Sequence, residues 1–135
     1  MALTAERNTR WKAGELLVFP VAAQTRIFQG GLVVLDGGYA KPGHEGTGLV
    51  AAGMASETVD NRDGSAGAAL VTVRPGVHAW RNSSGADAIG QADVGKVCYV
   101  VDDETVAKTD GTGTRSAAGT VLAVDAQGVW VRTGI

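Results

Sequence analysis

Three observations place this chain in the all-β class. Apolar residues recur with period two in short runs, as in Leu70–Arg74, where Val71 and Val73 alternate with Leu70, Thr72 and Arg74. Twenty glycines stand against three prolines, and the glycines fall between the runs, where tight turns and bulges need them. The apolar content is 44%, yet aromatics supply only 5%, so Ala and Val dominate and suit thin layers between strands. No helical period is sustained, and no helix longer than about three turns is expected. At 135 residues the chain is long enough for a real core and short enough for one domain.

In chain order, residues 1–12 read as an extended arm and residues 13–135 as one β domain. The arm carries Arg7, Arg10 and Lys12 against Glu6, with Trp11 as its one large aromatic anchor. Glu15–Phe19 reads as a strand ended by Pro20. Arg26–Phe28 and Gly31–Leu35 flank Gln29-Gly30, and Asp36-Gly37-Gly38 turns the chain. Lys41–Thr47 reads as a loop, Gly48–Met54 as a small-residue strand, and Glu57–Gly67 as a polar connection. Leu70–Arg74 and Val77–Arg81 read as a hairpin about Pro75-Gly76. Asn82–Ala86 is a loop, and Ile89–Val94 fits a single helical turn starting near Asp87 or Gly90.

The stretch from Lys96 to Thr133 carries the strongest pattern. Val97–Val101 alternates, Asp102-Asp103-Glu104 interrupts it, and Thr105–Lys108 resumes it. Thr109–Thr114 is a Gly-rich loop. Gly119–Val124 and Val129–Arg132 are β-branched runs joined by a turn over Asp125–Gly128. The four together predict an antiparallel meander. No internal repeat of useful period is expected.

Charge and motifs exclude several function classes. A net charge of −2 argues against a strongly basic nucleic-acid binder. One cysteine, Cys98, rules out an intrachain disulfide and a Cys-based zinc site. It reads as a small buried hydrophobe, and a lone thiol suits synthesis in the cytosol. No signal peptide or membrane span is read from the sequence. His44, Glu45 and His78 lack metal-ligand spacing, so no metal or cofactor is expected. Asp60–Gly64 has the composition of a calcium loop but not its alternating register, and reads as a turn held by Asn and Asp side chains. Ser83-Ser84-Gly85 lacks the nucleophile-elbow context, and Thr109–Thr114 lacks the phosphate-loop frame. Trp80-Arg81 and the Trp130/Arg132 pair could stack on single-stranded nucleic acid, but core or interface roles suit them better. No catalytic set assembles, and the chain is expected not to be an enzyme.

Three stretches carry a family resemblance: Gly48–Gly67 (GLVAAGMASETVDNRDGSAG), Val71–Ile89 (VTVRPGVHAWRNSSGADAI) and Ala92–Val131. Their order is a strand into a "VDN…G" turn, a "VxVRxGV" segment, then an "ADVGKxxYxVDDxTV" strand. In this the chain resembles the small head-decoration, or cement, proteins of tailed, Mu-like bacteriophages. The resemblance implies a β-sandwich or β-tulip-like subunit made as a homotrimer in the host cytoplasm. It also implies a place on the virion's capsid exterior, bridging neighbouring major capsid proteins. It carries over no functional residue. Arg7, Arg10, Trp11 and Lys12 are the interface residues expected from the arm's charge and its aromatic anchor: residues 2–12 sum to +2, leaving −4 on the remainder. The competing expectation is a small β-barrel that binds single-stranded nucleic acid.

Overall fold

The computed structural model describes residues 4–8 and 15–135. Among these, twelve short strands carry the fold, with two single 3-10 turns and no α-helix. The all-β expectation is met. The strands are β1 (Leu17–Pro20), β2 (Thr25–Ile27), β3 (Leu32–Asp36), β4 (Tyr39–Pro42), β5 (Val50–Ala55) and β6 (Val59–Asn61), followed by β7 (Leu70–Arg74), β8 (Gly76–Asn82), β9 (Val97–Val100), β10 (Thr105–Ala107), β11 (Ala117–Asp125) and β12 (Gly128–Thr133). The 3-10 turns span Gly85–Asp87 and Gln91–Asp93. Gly90 is the N-cap of the second, where its N–H donates to the Asp93 carboxylate at 2.8 Å.

The strands form two five-stranded units. The second is a closed barrel in the order β10-β8-β12-β11-β9. All its pairs are antiparallel except β8 with β10. The first is a sheet in the order β1-β7-β5-β3-β4, antiparallel throughout. Its two edges meet at a parallel bridge, Val21 to Ala40, with the Ala22 N–H donating to the Ala40 carbonyl at 3.0 Å. The strand pair β2-β6 covers one end of this curled sheet and contributes Ile27 and Val59 to its core.

The two units share one topology and one register, contrary to the expectation that no repeat exists. In each, the first strand pairs with the fifth, the fifth with the fourth, the fourth with the second, and the second with the third. The third then closes in parallel onto the first. Leu32, Val33 and Val34 face Met54, Gly53 and Ala51, and Val97, Cys98 and Tyr99 face Thr120, Gly119 and Ala117. Each ladder skips one buried alanine at a bulge, Ala52 in the first unit and Ala118 in the second. Phe19 opposite Val71 matches Trp80 opposite Val129, and Val21 opposite Ala40 matches Asn82 opposite Val106. The sequence carries the trace in GTG-LV-AAG against GTG-TRS-AAG, and in VTVRPGV (Val71–Val77) against VWVRTGI (Val129–Ile135).

Gly53 and Gly119 show why the matched positions share a residue. Both have positive φ, +139° and +157°. A Cβ at Gly53 would lie 2.5 Å from the Arg74 carbonyl oxygen, and one at Gly119 would collide with the carbonyl of Arg132, the counterpart of Arg74. Only glycine allows the bulged strand to approach its neighbour this closely.

Several local expectations are corrected. Val77–Arg81 is not the hairpin partner of Leu70–Arg74: β7 pairs with β1 and β5, while β8 pairs with β12 and β10. Pro75 is the crossing between the units, and having no N–H it can leave the first sheet without abandoning a ladder bond. Lys41 and Pro42 belong to β4 rather than to a loop, joined to β3 by a two-residue turn with Gly37 and Gly38 at positive φ. The polar connection Glu57–Gly67 contains β6, and Pro20 is the last residue of β1 rather than its stop. The four strands β9 to β12 are observed and their pairs are antiparallel, but they are not a meander: β11 pairs with β9 rather than with β10, and β8 closes the barrel between β10 and β12.

Each unit has its own core. Val21, Ile27, Val33, Ala40, Ala52, Ala55, Val71 and Val73 fill the first. Trp80, Ile89, Cys98, Val100, Val106, Ala118, Val121, Val129 and Val131 fill the second, joined there by Leu32 and Val34 from the first unit. The small aliphatic side chains suit narrow five-stranded barrels, and fully burying one such Val or Leu contributes about 1.5–3 kcal/mol.

Candidate interaction surface

The outward rows of the two units are the surface on which the chain can act. On the second barrel, register aligns Val97, Thr120, Arg132 and Val77 across four strands, and Ala123, Trp130 and Ala79 across three. Val77, Val97, Ala79 and Ala123 are exposed, Trp130 is half-buried, and Arg132 is the charge among them. On the first unit, Val18 and Leu70 are each 58% exposed and Leu16 is 47% exposed. Val18 lies opposite Thr72, and Leu70 lies opposite Pro20. Strand alternation places these residues outward by the same pleat that sends Val71 and Val73 into the core. Large apolar side chains clustered outside a barrel are a feature of protein-contact surfaces.

The inner residues that sequence reading marked for chemistry are held in structural roles. Trp80 faces into its barrel and donates from Nε1 to Thr133 Oγ1 at 2.9 Å, while Arg81 points out and pairs with Glu104 at 3.4 Å. The two therefore form no common stacking platform. Trp130 lies outside and donates from Nε1 to Asp125 Oδ2 at 2.8 Å, which tethers the ring to the end of β11. His78 is nearly buried, 5.5 Å between ring centroids from Trp80, and its Nδ1 has no partner. Burial pushes its pKa down. The Cys98 thiol, buried and 3.6 Å from the Gly119 carbonyl it donates to, is pushed up to about 12 by desolvation.

His44 sits where the two units meet, with Nδ1 3.1 Å from the Pro42 carbonyl and a β-bridge from its backbone to Asp102. Glu45 pairs with Arg115 across the same junction at 3.1 Å, and Arg115 also reaches Asp87 at 3.2 Å. Asp60 receives Arg62 Nε and Nη2 at 2.9 and 2.8 Å, a pairing that holds its carboxyl down at about 2. Beside it, the buried Asn61 amide donates to the Ala22 and Ser65 carbonyls, each at 3.0 Å. The segment is thus a turn stitched by its own side chains. Ser83 donates to the Val106 carbonyl at 2.9 Å. Among the described residues, no group of three or more His, Cys, Asp or Glu is placed to hold a metal ion, and no helix is long and apolar enough to cross a membrane.

One open cleft of about 500 Å³ lies at the junction of the units, lined by Phe28, Gln29, Gly30, Gly31, Asp103 and Glu104. Arg26 lies over the Phe28 ring at 4.5 Å. Burial, then the neighbouring Asp102, raises the Asp103 carboxyl.

Of the four arm residues predicted to make contacts, Arg7 lies in an exposed segment, and Arg10, Trp11 and Lys12 fall outside the described residues. The outward rows were the surface that sequence reading missed. Their signal was present in the polar-side members of each alternation, Val77, Val97 and Leu70, which are apolar where a solvated face would carry charge. Compared with known proteins, the chain matches no protein-family model, no curated protein and no solved structure.

Proposed function

We propose that this chain is a structural virion protein that binds the outside of a tailed-phage capsid and stabilises it by bridging neighbouring major capsid proteins. The observation that carries the reading is the pair of apolar outward rows, around Val18 and Leu70 on one unit and Val77 and Ala79 on the other. Two five-stranded units in series offer a contact surface on each unit of one chain, the arrangement a bridging protein requires. The resemblance to head-decoration proteins supports the same reading. Binding to the closed shell alone stabilises it by mass action, since the contacts must be lost before the shell opens. In this reading the copies form a homotrimer on the capsid exterior after synthesis in the host cytoplasm. The work is done by surface area and needs no catalytic residue, cofactor or nucleic acid.

The basic arm adds a second mode of attachment. Its charge of +2 faces a body of −4, so Arg7, Arg10 and Lys12 seek an acidic neighbour, with Trp11 as the apolar anchor. Co-sedimentation with phage heads, comparing the full chain with one lacking residues 2–12, tests both parts. The full chain is expected to pellet with heads, and the shortened chain to fold normally but pellet less. Absence of the full chain from pelleted heads would overturn the proposal, and equal pelleting of the two would remove the arm from it.

A further inference from the structure

We propose that copies of this chain associate head to tail, each contact between copies repeating the one that joins the two units within a chain. The inference gives geometry to the self-association in the reading above and rests on that part of it, not on the capsid.

The internal contact is between unlike surfaces. The first unit contributes an outer face, Leu32 and Val34, both fully buried against the second unit's core. The second unit contributes an end of its barrel, where Val100, the Asp102-Asp103 turn and Ser116 lie. The Leu32 N–H donates to the Asp103 carbonyl at 2.8 Å, and Ser116 Oγ both accepts from the Leu49 N–H at 3.0 Å and donates to the Gly46 carbonyl at 2.7 Å. A Cβ at Gly43 would meet the Asp102 carbonyl at 2.8 Å, so the two backbones touch.

Because the units repeat, each surface has a counterpart, and each counterpart leaves one valine exposed beside a half-buried neighbour, Val97 beside Tyr99 and Val50 beside Leu35. The registers equate Leu32 and Val34 with Val97 and Tyr99 on the second barrel. Val97 is 47% exposed, whereas Leu32 is fully buried. They also equate the barrel end at Val100 and Ser116 with Leu35 and Val50 on the first unit. Val50 is 48% exposed, and the β2-β6 pair closes the opposite end. One chain therefore presents the outer face at one extremity and the receiving end at the other. A second copy is the occupant the repeat favours, since the same fold makes this contact within each chain; Val50 stands where the second unit has Ser116, so an apolar contact replaces the Ser116 hydrogen bonds. Such a heterologous contact closes into a ring when its rotation permits, and a ring carries twice as many barrels as chains.

Sedimentation velocity on the full chain without phage particles, across a concentration series, tests this directly. Val97→Asp and Val50→Asp each place a charge on one of the two surfaces, at positions exposed in the single chain, so unchanged melting curves are expected. Each variant alone is expected to lose self-association by about tenfold or more. Mixed in equal amounts they should form a dimer and stop there, because each partner retains the surface the other lacks. Val97→Ser and Val50→Ser provide a milder pair if either aspartate variant unfolds. A wild-type chain that stays monomeric throughout, a variant that assembles like wild type, or a mixture that stays monomeric would overturn the proposal. A mixture assembling beyond the dimer would do the same. Head binding is read separately by pelleting, so failure here is distinct from failure of the capsid reading.

Discussion

Replacing Gly53 by alanine attacks the feature on which the repeated barrel depends. The backbone there has φ of +139°, a conformation that an L side chain rarely adopts. The new Cβ would stand 2.5 Å from the Arg74 carbonyl oxygen, 2.8 Å from its carbon and 2.9 Å from the Pro75 nitrogen, all backbone atoms that cannot rotate away. Overpacking of this kind costs about 1–3 kcal/mol, and a strained backbone region costs about 1 kcal/mol more. The sum, about 2–4 kcal/mol, corresponds to a fall in Tm of roughly 10 °C for a domain of this size. Differential scanning calorimetry measures it, with Gly95→Ala as the reference. Gly95 also has positive φ, +89°, but has no atom within 4 Å of its ideal Cβ, so its variant carries the strain without the collision. Gly119→Ala, at the matching bulge, should fall as far as Gly53→Ala. If Gly53→Ala melts within 2 °C or so of Gly95→Ala, the close approach at the bulge is not what fixes glycine there.

Further outcomes follow from the same structure. Asn61→Ala removes the amide that satisfies the Ala22 and Ser65 carbonyls and should cost about 1–3 kcal/mol in urea unfolding; a loss under about 0.5 kcal/mol would deny the turn its role. The Cys98 thiol should resist a disulfide reagent at pH 8 until the protein unfolds, and labelling at the rate of a free thiol would contradict its burial. Its raised pKa favours the folded state below about pH 9, and that contribution should fade as pH climbs toward 12, a trend that Cys98→Ala should flatten. His78 behaves with the opposite sign. Its folded pKa is lowered, so its contribution is present above about pH 6.5 and is lost as pH falls below that value; His78→Gln should reduce this acid sensitivity in melting curves at pH 7 and pH 5.

Individual strands were legible where alternation was clean. Leu70–Arg74 appears with the bounds its pattern predicts, and the ends of the strands over Lys96–Thr133 fall within two residues of theirs. Pairing was harder to read. Pro75-Gly76 has the chemistry of a hairpin turn, yet it carries the chain from one unit into the next, because β7 already has partners on both sides in β1 and β5. Strand β4 was hidden by Pro42, which sits on the edge of the sheet where a missing N–H costs nothing. The repeat escaped because its two matching motifs lie at different spacings. Gly53 and Gly119 are 66 residues apart, while Arg74 and Arg132 are 58 apart (119 − 53 and 132 − 74). The first unit carries the longer connection containing β6, and the second closes the same gap with the two residues Ala126-Gln127. Core positions vary more freely than the bulges, with Val33 matched by Cys98 and Phe19 by Trp80, since any side chain that fills the volume serves. The interaction surface was least legible, because an exposed Val and a buried Val look alike until register assigns each to a face.

The central claim, that the two barrels bridge coat subunits from outside the shell, is tested most directly by electron cryomicroscopy of tailed-phage heads assembled with and without this chain. The account predicts extra density on the outer surface only when the chain is present. Each copy should appear as two five-stranded units joined at Pro75, spanning more than one coat subunit, with the rows around Val18 and Val77 against the shell. Heads that look the same in both preparations, or density confined to the interior, would contradict it.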